Sequence, residues 1–545
     1  MVQMPTLDEV AALRVALAEA VRLQAEAARR NEALTGELRV ARTERDLLQE
    51  KLNKLTRRLF APQSEAGVVP QKDLFFNEAE GLAASTEPAA EEPADDDKST
   101  TVAGHTRKIK RGRKPLDPSL PRTVVRHELP EDQRVCPHDG SALREIGVES
   151  SEQFDIIPQQ VRVLRHERVK YACPCCDGAI RLAVRPAQII TRGLFTEGAL
   201  AWIATSKYLD GLPLYRQAAL LGRFGGTDIS RNTVASSIVR VGQAVQPVIN
   251  LLRDELLDSP LVFGDETELQ VLKEPGRGAQ TKSFMWAQMT NGSGMSGTGP
   301  PIRLFAYSPS RSTKTARELY AGVRQGAVLM TDGYDVYDAI ATEHKLVHLG
   351  CWTHCRRYFN DALQALPKDK RGPERLPARF IDLIGKLYHI EAQARRDEVD
   401  VDELGRRRRE QSIHVLADIE ALLLANVHAV VPSSLLGQAL HYLSSQWPKL
   451  KRYVEDGRYS IDNNAQENAI RPFCVGRRAW LFADTMAGAH ASANLYSLLQ
   501  TCRVNGIDGY RYLRALLVAL PAAKTADDYA ALLPWRLVNA ADFVR

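Results

Sequence analysis

Three carboxylates stand where a hard divalent cation needs oxygen ligands. Asp265 follows the apolar run Leu261-Val262-Phe263, and Asp332 follows Ala327-Val328-Leu329-Met330. Short apolar runs of this kind read as buried strands, so each Asp stands at the end of one. They are 67 positions apart (332 − 265), and only a sheet that makes their strands neighbours brings them together. A single Asp after a strand is more often a turn former; the pair in a matching strand order favours ligands. Mg2+ commonly takes one or two carboxylates together with water and substrate phosphate. Two such ions activate a water or a 3′-hydroxyl and stabilise the leaving oxygen of an in-line displacement. A third carboxylate is then expected on a later helix. Glu467, inside Asn463-Asn464-Ala465-Gln466-Glu467-Asn468-Ala469-Ile470-Arg471-Pro472, supplies it. Asn464-x-x-Glu467 is also the spacing of a capping box, so Glu467 reads as a ligand, as a helix cap, or as both. Catalysis and the binding of Mg2+ or Mn2+ are expected of Asp265, Asp332 and Glu467.

Sulfur suggests a second metal. Cys136-Pro137-His138-Asp139 and Cys173-Pro174-Cys175-Cys176 flank a β-rich stretch with strands expected at Phe154-Asp155-Ile156-Ile157 and Val161-Arg162-Val163-Leu164. Cys173 and Cys176 form a half-site for tetrahedral zinc, and Cys136 with His138 or Asp139 is the candidate for the other half. An oxygen ligand is unusual in a structural zinc site, so a zinc-free unit with inert thiols is the alternative. Cys351-x-x-His354, with His348 or Cys355, reads as packing behind the carboxylates, because two spaced ligands do not make a site. Eight cysteines in 545 residues, clustered as these are, do not form a disulfide framework.

The carboxylates need a scaffold. Leu261-Val262-Phe263, Phe284-Met285-Trp286-Ala287 and Ile302-Arg303-Leu304-Phe305-Ala306-Tyr307 read as three strands. A helix from Thr313 to Leu319, the strand before Asp332, and a fifth strand at Leu346-Val347-His348-Leu349 follow. That is the order of a ribonuclease-H-like fold. Between the second and third carboxylates lie 134 residues (467 − 332 − 1), more than such a core needs. Ile381, Leu383, Ile384, Leu387, Leu416, Ile419, Leu422 and Leu423 recur there at helical spacings, which reads as an inserted helical domain.

Upstream, Val10, Leu13, Leu17, Ala20, Gln24, Ala27, Asn31, Leu34, Leu38, Ala41, Arg45, Leu48, Leu52, Leu55 and Leu59 step by threes and fours. Such a seam predicts a coiled coil and self-association, with Asn31 fixing register, against the alternative of a long helix packed on its own chain. An acidic, proline-containing linker follows, then Arg107-Lys108-Ile109-Lys110-Arg111-Gly112-Arg113-Lys114-Pro115. Flexible cations around a glycine suit phosphates and a narrow minor groove, so Arg107, Lys108, Lys110, Arg111, Arg113 and Lys114 are expected DNA contacts; a solvated basic linker is the other reading. Leu214-Tyr215-Arg216-Gln217-Ala218-Ala219-Leu220-Leu221, a glycine pair, and a helix opening Ser230-Arg231-Asn232-Thr233 have helix–turn–helix spacing. Arg231, Asn232 and Thr233 would face bases, with Asp228 or Ser230 as cap. Arg356 and Arg357 are candidate phosphate contacts, and Arg406-Arg407-Arg408-Arg409 reads first as a solvated charge run.

Together these motifs resemble a known group. Gly264-Asp265-Glu266-Thr267, Thr331-Asp332-Gly333-Tyr334, Gly350-Cys351-Trp352-Thr353-His354-Cys355-Arg356-Arg357 and the run from Asp462 to Pro472 look like the insertion-sequence 66 family of bacterial DDE transposases. Gly476-Arg477-Arg478-Ala479-Trp480-Leu481-Phe482-Ala483 and Asn505-Gly506-Ile507-Asp508 share the resemblance, which spans nearly the whole chain. It implies that Asp265, Asp332 and Glu467 form the DDE triad. It also implies binding to terminal inverted repeats, 3′-end cleavage and strand transfer with Mg2+. Three positions depart from the family's pattern. Asp139 stands where a cysteine is common. Gly264 stands where alanine is frequent, a small-for-small change expected to leave the chemistry alone. Asn468 replaces an arginine next to Glu467.

The expected fold class is multidomain α/β. Its parts are a coiled coil over 1–60, an acidic then basic linker over 61–119 and a zinc-knuckle-like unit over 120–190. A helix–turn–helix region follows over 191–255, then a ribonuclease-H-like core over 256–364 and 459–500, a helical insertion over 365–458 and a tail over 501–545. The expected partners are double-stranded DNA (element ends and target), a second copy of the chain, and accessory proteins of the same element. No apolar run approaches the ~18 residues of a membrane span, so a cytoplasmic, nucleoid-associated bacterial protein is expected. The net charge of +5 decides nothing about nucleic acid; local charge does. A non-catalytic DNA-binding regulator and a nuclease that cuts without joining are the rival readings.

Overall fold

The computed structural model describes residues 7–60, 161–168, 170–172, 180–182, 187–225, 229–292 and 299–541. The basic segment, Asp228 and the zinc candidates Cys136, His138, Asp139, Cys173 and Cys176 lie outside them. Helix α1 (Leu7–Phe60) is unbroken, and Leu17, Leu34, Leu38, Leu48, Leu52 and Leu55 of its seam are exposed. Its C-terminal part docks on its own chain, where Asn53 Nδ2 donates to Ala365 O at 2.8 Å. Val161-Arg162-Val163-Leu164 is not a strand. Val163 is 93% exposed, so the run buries nothing, and the antiparallel pair is instead β1 (Lys170–Ala172) with β2 (Ile180–Leu182).

Four helices follow: α2 (Glu197–Tyr208), α3 (Leu214–Gly225), α4 (Arg231–Ala244) and α5 (Gln246–Leu257). Ser230 caps α4, its side chain accepting from Thr233 N. A mixed sheet comes next. Strands β3 (Leu261–Lys273), β4 (Lys282–Thr290) and β5 (Ile302–Ser308) form an antiparallel meander. Helix α6 (Thr313–Leu319) leads to β6 (Val328–Met330), which lies parallel to β3. Helix α7 (Asp335–Glu343) then leads to β7 (Val347–Leu349), parallel to β6. The sheet order is β5-β4-β3-β6-β7.

Helix α8 (Trp352–Ala365) opens a block that continues with α9 (Leu376–Arg396), α10 (Val401–Arg407), α11 (Ile413–Asn426) and α12 (Leu435–Leu450). These helices share a core of their own around Phe359, Phe380, Ile384, Ile419 and Leu443, and it takes in Trp352 and Cys355 of α8. Helix α13 (Asn464–Trp480) returns to the sheet, and β8 (Ala483–Thr485) pairs with the far end of β3.

Helix α14 (Met486–Val504) is buried along most of its length. It covers the edge strand β5, where Phe305 N donates to Ser497 Oγ (2.8 Å) and Arg303 N to Thr501 Oγ1 (3.0 Å). An open edge is thereby closed by side chains of a helix. The residues after 500 are no loose tail. Helix α14 runs through the expected boundary, and α15 (Gly509–Ala519), α16 (Ala526–Ala531) and α17 (Pro534–Ala541) follow, with Leu513, Leu516, Leu517 and Leu533 buried. No helix of the described residues is long and apolar enough to cross a membrane.

Candidate functional site

Register sets the site. Leu261, Val262 and Phe263 pair with Val328, Leu329 and Met330 in the parallel ladder of β3 and β6. Carried on by two residues, that register leads Asp332 toward Asp265, and the two carboxyls feel each other's charge. Helix α13 lies over the same face. Its Ala465 and Ala469 pack on Leu261, Phe263 and Met330. Asn463 Nδ2 donates to Gly264 O (3.1 Å) and Gln466 Nε2 to Ala287 O (2.8 Å), which pins the start of the helix across β3 and β4. Glu467, one residue on, is thus held on the side of the sheet that carries Asp265.

Glu467 is not a cap. The helix is capped at Asn463, not Asn464, and no side chain makes the capping hydrogen bond. Glu467 Oε1 instead stands 3.6 Å from His354 Nε2 and 3.5 Å from Arg357 Nη2, is buried, and makes no hydrogen bond. Asp332 Oδ1 accepts from Tyr334 N at 3.0 Å, and Asp265 Oδ1 from Glu266 N at 2.8 Å. Burial holds the Asp265 carboxyl well above the usual carboxylate range, and the charges of Asp332, Glu266 and Glu467 add to the effect. Burial and then Arg357 push the His354 imidazole down. Among the described residues, no group of three or more His, Cys, Asp or Glu stands close enough together to hold a metal ion. The three carboxylates therefore feel one another's charge without closing into a ligand cluster. The donor set still suits a hard cation, because every candidate ligand is a carboxylate oxygen, one of them buried and unbonded.

Glu266, Arg311, Tyr334 and Tyr337 form a bonded group next to the two Asp-bearing segments, and sequence reasoning gave none of them a role. Strand alternation turns Glu266 to the face opposite Asp265. There Glu266 Oε1 accepts from Arg311 Nε (2.8 Å) and pairs with Nη2 (2.7 Å), while Oε2 accepts from Tyr337 OH (2.6 Å). The Arg311 guanidinium lies over the Tyr334 ring, 3.9 Å from its centroid, and Tyr334 OH donates to Arg311 O (2.8 Å). The loop that carries Asp332 is thus tied to the loop before α6. Glu266 was visible in the run Asp265-Glu266-Thr267; Arg311 carries no local signal. Gly264 is also stricter than a small-for-small reading expects. A Cβ there would collide with the hydroxyl of Tyr320, which is fully buried, so alanine requires the aromatic layer to move.

Cys351 and Cys355 are buried, unbridged and protonated: burial lifts the Cys351 thiol to about 12, and its sulfur accepts from Asn463 N at 3.2 Å. This is packing behind the carboxylates. His348 stands 2.9 Å from Asp338 Oδ1 and 2.8 Å from Thr331 Oγ1, so it braces the strand end before Asp332. Arg356 is exposed on α8, and Arg357 faces Glu467. Arg231 and Asn232 are exposed at the start of α4, while the Thr233 hydroxyl is engaged with Ser230 Oγ (2.9 Å). The run from Arg406 to Arg409 is no basic patch. Arg406 and Arg407 pair with Glu403, Glu410 and Asp397, and Arg408 is buried against Glu391.

A family model described as "Transposase IS66 family" matches residues 192–491, more than half of the chain. The chain belongs to the transposase IS66 family. In this IS66-family chain, "zinc-finger binding domain of transposase IS66" matches 133–177, the stretch from before Cys136 to beyond Cys176. "Transposase C of IS166 homeodomain" matches 47–125, which includes the basic run, and "IS66 C-terminal element" matches 497–535. Curated relatives come from Sinorhizobium fredii (strain NBRC 101917 / NGR234). Uncharacterized protein y4qI is 33% identical over 420 residues, 76% of this chain and 74% of its own. Uncharacterized protein y4hP is 28% identical over 500 residues, 90% of this chain and 88% of its own. Membership carries an activity class with it: a transposase acts on DNA.

Proposed function

We propose that this IS66 transposase cuts and joins DNA by a metal-dependent DDE mechanism, with Asp265, Asp332 and Glu467 as the acidic triad. The observation that carries the reading is the β3–β6 register, which leads Asp332, just past the end of β6, toward Asp265 under the helix bearing Glu467; Asp265 itself lies inside β3, which runs on to Lys273 and does not end at the Asp as expected. The strand order, three antiparallel strands and then two parallel ones, supports a ribonuclease-H-like core. Mg2+ or Mn2+, when bound, supplies an activated water or 3′-hydroxyl and stabilises the leaving oxygen. The chain's own residues do the rest. Asp265, Asp332 and Glu467 hold the ions. The Glu266–Arg311–Tyr334 contacts fix the Asp332 loop, with the Arg311 charge taken up by Glu266. Arg356 and Arg357, the exposed start of α4 (Arg231, Asn232, Thr233) and the basic segment at 107–114 contact DNA. Cys173 and Cys176, with Cys136 and His138 or Asp139, would hold zinc in the region that matches the zinc-finger model. A second copy, paired through α1, brings a second element end.

Asp332→Asn tests the reading. The variant binds an element-end duplex in a gel-shift assay as well as the unaltered chain, and its Mg2+-dependent 3′ nicking falls below detection. Normal nicking by Asp332→Asn sinks the triad. A wild-type chain that nicks but never transfers the 3′ end to a target is a nuclease instead.

A further inference from the structure

Between α13 and β8 the chain makes a turn that the triad does not use. Phe482 N donates to Trp480 O at 2.8 Å, and Leu481 between them has φ 66° and ψ −52°. This is a γ-turn of the rare, strained hand, and a positive φ on a bulky residue is a genuine outlier. Glycine adopts such a backbone without a steric penalty, yet leucine stands here. The surroundings hold it there. Trp480 packs on Phe473, Leu481 N donates to Arg477 O at 2.7 Å, and Ala483 pairs with Val271. The strained turn displays apolar surface: Leu481 is 63% exposed and Phe482 41%.

Cations surround that tip. Lys207 Nζ lies 5.7 Å from the Trp480 ring centroid, and Arg478 is exposed in the last turn of α13, whereas Arg477 turns to β3, where its Nη1 donates to Thr267 Oγ1 at 3.2 Å. Asp484 beside the tip is paired with Lys273 at 2.9 Å. Two adjacent apolar side chains inside a cationic collar complement a polyanion with a stacked apolar interior. Phe and Leu wedges of this kind enter base steps and unstack them in DNA-bending proteins.

The position fits as well. Leu481 lies 14 residues beyond Glu467 along α13 (481 − 467), about 20 Å at the helical rise. Along β3, Val271 lies six residues beyond Asp265 (271 − 265), again about 20 Å, and it pairs with Ala483. Both routes set the tip about six base pairs from the carboxylates at 3.4 Å per base pair.

We propose that Leu481 and Phe482 form a wedge that opens a DNA base step about six base pairs from the cleaved phosphate, with Lys207 and Arg478 on the flanking phosphates. The proposal rests on the DNA-cutting reading above. Permanganate, which oxidises unstacked thymines, tests it on a duplex carrying the terminal repeat that flanks this chain's coding sequence, with Ca2+ in place of Mg2+ to prevent cutting. The full-length chain produces a several-fold rise in thymine reactivity confined to a step about six base pairs from the nick mapped in Mg2+. Leu481→Ala with Phe482→Ala loses that rise, and its Kd weakens by about tenfold, the loss of one base–side-chain stack. Leu481→Gly relieves the backbone and also lowers the rise, whereas Phe482→Leu keeps it. A thermal melt matching that of the unaltered chain certifies each variant as folded. Binding and nicking without a reactive step, or a reactive step retained by the double variant, overturns the wedge and leaves the triad standing. A drop in oligomeric mass in the double variant, with the permanganate pattern unchanged, assigns the tip to a contact between copies and overturns the wedge too. A full-length chain that neither binds nor nicks the duplex overturns the DNA reading itself, and the wedge with it.

Discussion

At Asp265, burial and the neighbouring charges of Asp332, Glu266 and Glu467 all favour the protonated form, opposed by one backbone hydrogen bond. The sign of the linkage follows. A carboxyl whose folded pKa is raised stabilises the fold below its unfolded value, and that contribution is lost as pH rises through the folded one. The metal-free protein should therefore lose stability as pH climbs above the ordinary carboxylate range. A divalent cation acts in the opposite sense, because it binds the ionised ligand. The rise in Tm on adding Mg2+ should grow with pH in the unaltered chain, and Asp265→Asn should flatten the slope and remove most of the Mg2+ increment. Melts across pH with and without Mg2+ measure both; an unaltered slope and increment in Asp265→Asn refute the assignment. Asp265 and Asp332 were legible in the sequence because each ends an apolar run. Glu467 was only half legible: the pattern Asn464-x-x-Glu467 suits a cap, and what decides against it is the cap at Asn463 and the hydrogen bonds of Asn463 and Gln466 to β3 and β4. Arg311 was invisible, since its partner Glu266 is 45 positions away.

Elements whose period is long enough to read came through well. Helix α6 occupies Thr313–Leu319 as expected, and the five strands around the two Asps follow the expected order. Strand β8 is three residues long and two of them are polar, so it has no period to read; it exists because β3 offers it a partner. The arginine run misleads for a related reason. One-dimensional charge does not reveal that Arg408 turns inward at a π-helical turn over Arg408–Ser412. There Arg408 bonds both oxygens of Glu391 at 2.7 and 2.8 Å and donates to the carbonyls of Tyr453, Asp456 and Tyr459. The pair joins α9 to the segment that leads back to α13, so it fixes the helical block's exit to the site. Breaking a buried pair from one side leaves an uncompensated charge and costs about 3–5 kcal/mol. Arg408→Ala and Glu391→Ala should each lose about that much in urea unfolding, and the double variant should lose clearly less than the sum. Additive losses mean that the pair does not act as a unit.

At the scale of the whole chain the longest element is α1, whose 54 residues run about 80 Å at 1.5 Å per residue. Among the described residues its C-terminal part has partners on the same chain, through Asn53 with Ala365 and through Glu50, whose carboxylate accepts from Leu435 N at 3.1 Å. Leu17, Leu23, Leu34, Leu38 and Leu48 face solvent. An exposed heptad seam gains stability when another helix covers it, and a second copy of α1 has the matching pattern. Docking also ties the helix to α8 and α12, the helices that flank the return to Glu467, so pairing two copies sets two sites in a defined relation. Deleting residues 1–45 keeps the Glu50 and Asn53 contacts and removes most of the seam. The shortened chain should be monomeric by light scattering at micromolar concentration, where the full chain is at least dimeric. It should still nick a single end with Mg2+, while concerted joining of two ends to one target falls by orders of magnitude. Asn31→Leu should have the reverse signature, a tighter assembly with less uniform mass, because the polar seam position is removed. A shortened chain that keeps the full mass transfers self-association to another surface. One that stays monomeric yet joins two ends at the normal rate separates assembly from α1 altogether.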